Sequence, residues 1–360
     1  MATPLTEPLI TSGKREDLAD LIAMVDAKDV PFVSMARKGS KPGNTYFRWQ
    51  HDSLPAPKPS STVDGTDVSA YDNYTNGSNQ GDNTTTAYRV ELSNYIQVFR
   101  RSVRVSPLSE DIANVAGVNS ELAANVAKGI KVLKRDMEVA FCSNQDGAAD
   151  NGTTGYRTKG LQTWISTTGG STPAVPSGVR SASGQIVGTS AAASTLTESD
   201  VQGLLTTLYG NRGEIKSYDA LVGTTLKRAF TNLVSTAATT TNTGTDGFQA
   251  TRILNMNRDA ESSTLTASLD VFNGDFGTLR LHPTSFIGSI TYTSNIGAFT
   301  AQAFKGLVLD MNLVEVRYGG NVAGVRELPD AGGGAARLIE AVAGLVVHSP
   351  LALGKFDYSS

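Results

Sequence analysis

Cysteine is almost missing from this 360-residue chain: Cys142 stands alone, so an intrachain disulfide and a cysteine-built metal cluster are both excluded. Histidine is nearly as scarce. His51, His282 and His348 are the only imidazoles, none in a ligand spacing such as HisGluXaaXaaHis, and no metal site is expected. No window approaches the ~20 apolar residues of a membrane span, and Met1 to Ile10 lacks the basic-then-apolar order of an export signal. The chain therefore reads as soluble and cytoplasmic at synthesis, with no membrane partner. Charge is sparse too, at 18% of residues with a formal net charge of −3. A slightly acidic balance argues against a protein built mainly to hold nucleic acid, so any DNA contact should be local.

Catalytic fingerprints are also lacking. There is no glycine-rich loop ending in GlyLysSer or GlyLysThr, no GxGxxG after a strand, and no GxSxG elbow. His51, Asp52 and Ser53 stand consecutively, but neighbouring side chains on a strand point to opposite faces and do not converge as a triad does. They read as a polar strand end. Cys142, closing an apolar helical stripe, reads as a small core residue. No catalytic or cofactor-binding residue is assigned, and an enzyme is not expected.

What is present is glycine, at 36 residues, with abundant Ser, Thr and Asn, which suits strands, turns and polar loops. Residues 14–38 carry a short amphipathic stretch in which Leu18, Leu21, Ile22 and Val25 recur at helical spacing, ended by Val30 and Pro31. Strands are expected over Asn44 to Gln50 and Tyr88 to Val105. Between them lies a long tract with almost no apolar content, too long for a structureless loop inside a compact domain. It reads as disordered, or as a hairpin extension that orders on another molecule.

The strongest helical signal runs from Ser109 to Phe141, where Leu122, Val126, Ile130, Leu133, Met137 and Phe141 form one stripe. Ser109 is the expected N-cap, and Gly117 and Gly129 are expected to weaken the helix or bend it. Such a helix would be about 50 Å long. LQTWIS after Gly160 reads as a short strand, and Thr167 to Ser194 as a surface excursion. Helices over Thr197–Tyr209 and Thr224–Val234 flank a strand at Ala220–Val222, a small α/β unit, and Ser235 to Gly247 is a rim loop. From Thr264 onward the pattern is mostly strand, in FGTLRLHP, GLVLDMNLVEVRY and LIEAVAGLVVHSPLAL. The whole reads as α+β.

Charge is distributed unevenly. The polar tract holds Asp52, Asp64, Asp67, Asp72 and Asp82 against Lys58 alone, whereas Lys128, Lys131 and Arg135 share a helix face near Lys134. Arg89, Arg100, Arg101 and Arg104 mark the base of the tract as a second basic surface. Either surface could meet an acidic extension from an identical subunit, or packaged DNA, or be only a solvated face.

The segments ELAANVAKGIKVLKRDMEVAFCSNQ with GLQTWI, GKREDLADLI with VPFVSM, and FRWQHDSL resemble the tailed-bacteriophage major capsid proteins, as do FGTLRLHP and LIEAVAGLVVHSP. The resemblance implies the Johnson fold shared by tailed-phage and herpesvirus capsids. It implies an N-terminal arm (1–42), an extended β-hairpin loop (43–105), and a peripheral domain with a long spine helix (106–195). An axial domain (196–330) and closing peripheral-domain strands (331–360) would complete the chain. The implied function is self-assembly into hexamers and pentamers of an icosahedral head, in the virion, after assembly in the host cytoplasm. Implied partners are identical subunits, portal and scaffolding proteins and packaged DNA, with room for a decoration protein. The motifs begin by Gly13, from which a separate scaffolding protein is expected. Expected intersubunit contacts are Tyr46, Phe47, Trp49, Asp64, Asp67, Asp72, Arg100, Arg101, Arg104, Lys128, Lys131 and Arg135. A secreted adhesin-type structural protein is the alternative reading of the Ser/Thr/Asn-rich composition.

Overall fold

The computed structural model describes residues 30–54, 61, 63–65, 89–112, 120–236, 258–259, 262–263, 269–293, 295–320, 323–330 and 332–359. Pro31, which the pattern places at a helix end, opens one instead. Helix α1 spans Pro31–Met35, with proline in the first turn, where its missing N–H is not needed. Strand β1 (Arg37–Gly39) follows, then β2 (Tyr46–His51) and β3 (Val90–Tyr95), paired antiparallel from Tyr46 opposite Tyr95 to His51 opposite Val90. The strand expected over 88–105 is two strands, because after Ile96 the chain moves to a new partner as β4 (Gln97–Arg104).

Two helices, α2 (Pro107–Ile112) and α3 (Glu121–Phe141), take the place of the single helix expected from Ser109. Ser120 caps the long one, its hydroxyl accepting from the Ala123 N–H at 3.2 Å. With 21 residues, α3 is about 31 Å long, shorter than expected. Leu133, Met137 and Phe141 are buried completely. Gly129 is explained by contact, not by a bend: a Cβ there would lie 2.4 Å from Ile339 Cδ1, so the glycine lets helix and sheet approach closely.

The run LQTWIS, read as a strand, is one helical turn, α4 (Leu161–Trp164). Leu161 and Trp164, three apart, both point inward, and a run this short has no period that separates helix from strand. Residues 167–194 are not a loose excursion. Apart from β5 (Ile186–Val187) they fold around two buried polar side chains. The Lys159 ammonium donates to the carbonyls of Gly169, at 2.7 Å, and Pro173, and the Gln185 amide donates to those of Leu351 and Leu353 at 2.8 and 2.7 Å.

Helix α5 (Glu198–Arg212) starts with the Thr197/Asp200 capping box and stops at Gly213, whose φ of 73° suits glycine. Next come β6 (Lys216–Val222), α6 (Thr224–Thr236), and the two-residue pair β7 (Arg258–Asp259) and β8 (Ser262–Ser263). The remainder is strand: β9 (Val271–Gly274), β10 (Gly277–Pro283), β11 (Gly288–Thr293), β12 (Ile296–Ala301), β13 (Lys305–Leu309), β14 (Val314–Tyr318), β15 (Gly324–Leu328), β16 (Ala336–Val347) and β17 (Gly354–Asp357). The expected rim loop lies outside the described residues from 237 onward.

Two sheets organise the subunit. In the five-stranded one, the order is β1-β14-β16-β15, with β4 also on β16; in the six-stranded one it is β5-β17-β13-β6-β10-β9. The run GLVLDMNLVEVRY crosses from one sheet to the other. Asp310 makes the turn by accepting from the Leu313 and Asn312 N–H groups at 2.9 and 3.0 Å, while Arg212 pairs with its buried carboxylate. Strands β14, β15 and β16 thus form one sheet, and β17 returns to the other.

One apolar cluster joins α3, α4 and the five-stranded sheet, and a second joins α5, α6 and the six-stranded sheet. Strand β13 divides its side chains between them, Leu307 and Leu309 facing the first and Val308 the second. Strand β6 does the same with Leu221 against Ala220 and Val222. Because side chains alternate across a strand, two shared strands weld both cores into one plate.

Candidate assembly surfaces

The root of the extended loop is fixed by alternation along β2. Phe47 and Trp49 point inward, stacked at 5.8 Å, and Trp49 lies 5.6 Å from Trp164 while its indole N–H donates to the Val347 carbonyl at 3.0 Å. With 6% and 8% of their surface exposed, both belong to the subunit's own core. They are withdrawn from the expected intersubunit set. Tyr46 is on the other face, packed on Tyr95 at 4.8 Å, with its hydroxyl 2.7 Å from Ser93 Oγ and the Arg48 guanidinium over its ring.

Beneath the hairpin, buried Asn94 donates to Thr158 Oγ1 and the Leu345 carbonyl at 3.0 and 2.7 Å. Its own oxygen accepts from the Tyr95 and Lys159 N–H groups. A buried amide with all these partners locks position, because any slip leaves polar atoms unpaired. Outward, Arg89 holds Asp52 at 3.0 Å. Asp64 is exposed; Asp67 and Asp72 lie outside the described residues.

The arginines of β4 do not form one surface. Arg101 faces α3 and makes two 2.7 Å bonds to Asp136, and that hydrogen bonding raises its pKa further. Arg100 projects from the opposite face onto Glu340, directly across the ladder, at 2.5 Å, while Arg104 approaches Asp330 at 4.0 Å. Arg326 joins Arg100 around Glu340 at 3.8 Å. Exposed pairs of this kind contribute only ~0–1 kcal/mol each, so this face retains an arginine excess available to another partner.

On the spine helix, Lys128 and Lys131 are exposed beside Lys134, and none of the three has an ion-pair partner among the described residues. Arg135 is separate from them, half-buried with its guanidinium 5.6 Å from the centre of the Phe286 ring.

Glu138 and Glu315 join Asp310 as buried carboxylates. Glu138, fully buried on α3, accepts from the Phe32 and Val33 N–H groups at 2.9 and 2.8 Å, which fastens the start of α1 to the spine. Glu315 takes Arg37 of β1 at 2.9 Å and Arg317 at 2.8 Å, with His348 at 3.6 Å. Burial pushes its pKa upward, but the hydrogen bonds from Arg37 and Arg317 outweigh that and hold it below the usual carboxylate range. Glu138 stands next to Met137, and its place near the buried stripe was the signal available. Glu315 had none, since its partners are distant in sequence.

His51 is 3.1 Å from Ser349, and His282 is 3.1 Å from Asp219. Among the described residues no group of three His, Cys, Asp or Glu side chains could hold a metal ion, and no helix is long and apolar enough to cross a membrane. Cys142 is buried, and burial drives its thiol pKa well up.

The family model described as SU10 major capsid protein matches residues 5–358. A major capsid protein of Escherichia phage Phieco32 is 34% identical over 134 residues, covering 37% of this chain and 34% of that relative's length. In fold, the chain is similar to the capsid structure of Cyanophage P-SCSP1u, with a TM-score of 0.52 and 12% identity over 96% of this chain and 93% of that one. A structure from Mycobacterium phage Adephagia gives a TM-score of 0.54 and 11% identity over 99% of both chains. Likenesses at 11–12% identity carry the fold alone, while the family model spans nearly the whole sequence: this chain belongs to the SU10 major capsid protein family.

Proposed function

We propose that this chain is the repeated, non-enzymatic shell subunit of a phage head, assembling as hexamers and pentamers into an icosahedral shell around the genome. The observation that carries the reading is the hairpin root. Buried Trp49 and Asn94 tie β2 and β3 to the plate, while the acidic tract they carry has too little apolar content to build a core of its own. A rigid base bearing such an extension suits contact with a neighbour, where many modest repeated contacts sum by multivalency.

In this reading the spine helix and five-stranded sheet form the peripheral domain, the six-stranded sheet with α5 and α6 forms the axial domain, and residues 1–42 form the arm. Tyr46, Asp64, Asp67 and Asp72 belong to the extension. Arg100 and Arg104 on one face, and Lys128 and Lys131 on another, are its docking surfaces, with Arg101 and Arg135 bracing them from within. Charge complementarity supports that pairing, and packaged DNA is a further non-specific partner for the lysine stripe. Scaffolding and portal proteins take part in assembly in the host cytoplasm, and the finished subunit resides in the virion. Negative-stain microscopy of the purified protein tests the proposal: capsomer rings or polyhedral particles support it, and dispersed monomers at every concentration and with the scaffold present contradict it.

A further inference from the structure

Residues 283–304 carry no charged side chain, although 18% of the chain is charged. Strands β11 and β12 lie within that run as a hairpin, paired from Gly288 opposite Ala301 to Thr293 opposite Ile296. One edge of the hairpin is held by the subunit itself. The Ile290 N–H donates to Asn144 Oδ1 at 3.0 Å, and the Gly288 carbonyl accepts from the Gln162 amide at 2.8 Å, so the backbone of these two residues points away from β12. The Gln302 N–H donates to the Ile287 carbonyl, which puts the bonds between the two strands on the alternate rungs. By that alternation Gly297, Phe299 and Ala301, opposite Tyr292, Ile290 and Gly288, turn their N–H and C=O groups outward along the free side of β12. Among the described residues β12 pairs with β11 alone, and no hydrogen bond is formed to these outward groups.

This edge is apolar as well as unpaired. β12 is exposed at every residue, with Ile296 at 77% and Phe299 at 36%. Strand edges are ordinarily protected by charge or proline. Apart from β11, the other strands of five or more residues with a single strand partner carry such charge: Arg48 on β2, Glu91 on β3, Arg100 and Arg101 on β4, and Arg326 and Glu327 on β15. β12 has neither protection, and an uncharged free edge is a template for another strand. A second copy of this chain fits it by symmetry. Set antiparallel about a two-fold axis at Phe299, the edge meets itself, with Phe299 opposite Phe299 of the second copy and Gly297 opposite Ala301. Each outward N–H then meets an outward C=O. The two Phe299 rings form a cross-strand aromatic pair, the small side chains of Ala298 and Ala301 leave room beside them, and no like charges are brought together. Because both copies use the same patch, the contact closes on itself as a dimer and does not propagate as a filament.

We propose that β12 joins two copies of this chain edge to edge, about a two-fold axis at Phe299, so that two hairpins become one four-stranded sheet. In a shell of hexamers and pentamers local two-folds lie between neighbouring capsomers, and placing the contact there rests on the proposed shell role, whereas the pairing itself does not. A contact this small is weak in free solution and gains from repetition in a shell. The test is disulfide trapping of Phe299→Cys and, separately, Ile296→Cys. Opposed residues of a hydrogen-bonded pair stand about 5.5 Å apart at Cα, within the disulfide range. The two Ile296 positions would be offset along the strands by roughly 20 Å, and buried Cys142 does not compete. Covalent dimers are expected from Phe299→Cys at a level on the order of tenfold or more above Ile296→Cys, in shells or, should none form, in the concentrated unassembled subunit. Shells without such dimers, or equal dimers from both variants, overturn the pairing and leave the shell role standing. Where no shells form, the subunit result decides the pairing alone. As an independent check, Phe299→Lys at this exposed position should leave the urea midpoint of the subunit unchanged and abolish its concentration-dependent dimerisation in sedimentation. Dimerisation undiminished in that variant contradicts the proposal.

Discussion

Replacing Glu138 by alanine tests how the arm is fastened to the spine. Two hydrogen bonds to a buried carboxylate disappear, and the Phe32 and Val33 N–H groups lose their acceptors. Phe32 is fully buried, its ring 5.9 Å from Phe141 edge-to-face, so its N–H cannot turn to water without unpacking the ring. Bonds to charged groups contribute ~1.5–3 kcal/mol each, and relief of the carboxylate's desolvation offsets part of the loss. We expect Glu138→Ala to cost about 3–4 kcal/mol. Glu138→Gln keeps one acceptor oxygen for two donors and should cost roughly half as much. Urea denaturation of the unassembled subunit measures both, and hydrogen exchange over 31–35 reports whether α1 detaches. A Glu138→Ala subunit within ~0.5 kcal/mol of the parent, with α1 equally protected, would refute the reasoning.

Gly129→Ala sets helix propensity, worth ~1 kcal/mol in favour of alanine, against overlap with Ile339, and overlap should win by about 1–2 kcal/mol. Adding Ile339→Val removes the offending Cδ1, so denaturation of the double variant should show coupling of opposite sign to the single losses. Acid should release β1 first. Glu315 has a depressed folded-state pKa, so its pairing with Arg37 and Arg317 contributes fully above the ordinary carboxylate range and is lost as pH falls through the depressed value. Exchange at 37–39 should rise below about pH 4 before the core strands respond. Lys128→Glu/Lys131→Glu should leave subunit stability within ~0.5 kcal/mol, since neither lysine has an ion-pair partner among the described residues, yet impair assembly as read by sedimentation. Deleting residues 55–86 should leave a folded subunit, because Trp49 and Asn94 still pin the hairpin root, while stable shells fail to form.

The sequence made the elements legible where period and length agreed. The stripe from Leu122 to Phe141 is α3, and the apolar spacing after Thr197, through Val201, Leu204, Leu205 and Leu208, announced α5. It misled where a run was short or a partner distant. LQTWIS is apolar under either geometry, and only packing of Trp164 beside Trp49 makes it a turn of helix. The run from Gly306 to Tyr318 looked continuous because Asp310 and Asn312 interrupt it for only a few residues, yet that Asx turn carries the chain from one sheet to the other. Of the charged candidates, alternation along β4 was enough to separate Arg101 from Arg100 and Arg104, while the pairing of Arg101 with Asp136 required the fold. Phe47 and Trp49 looked like contact aromatics because the tract beside them is polar. Their burial depends on β16 and α4, which no local pattern reveals. Gln185 lies in the stretch 167–194 that reads as a surface excursion for the same reason, its partners Leu351 and Leu353 being distant in sequence.

Shell formation itself is best tested by cryo-electron microscopy of the chain produced with its scaffold, at a resolution that traces residues 52–89 against their neighbours. Closed shells of hexamers and pentamers are expected, with that segment lying on the Arg100–Arg104 or Lys128–Lys131 face of an adjacent subunit. Shells in which the segment touches only its own subunit, or a preparation containing no shells, would contradict the proposed role.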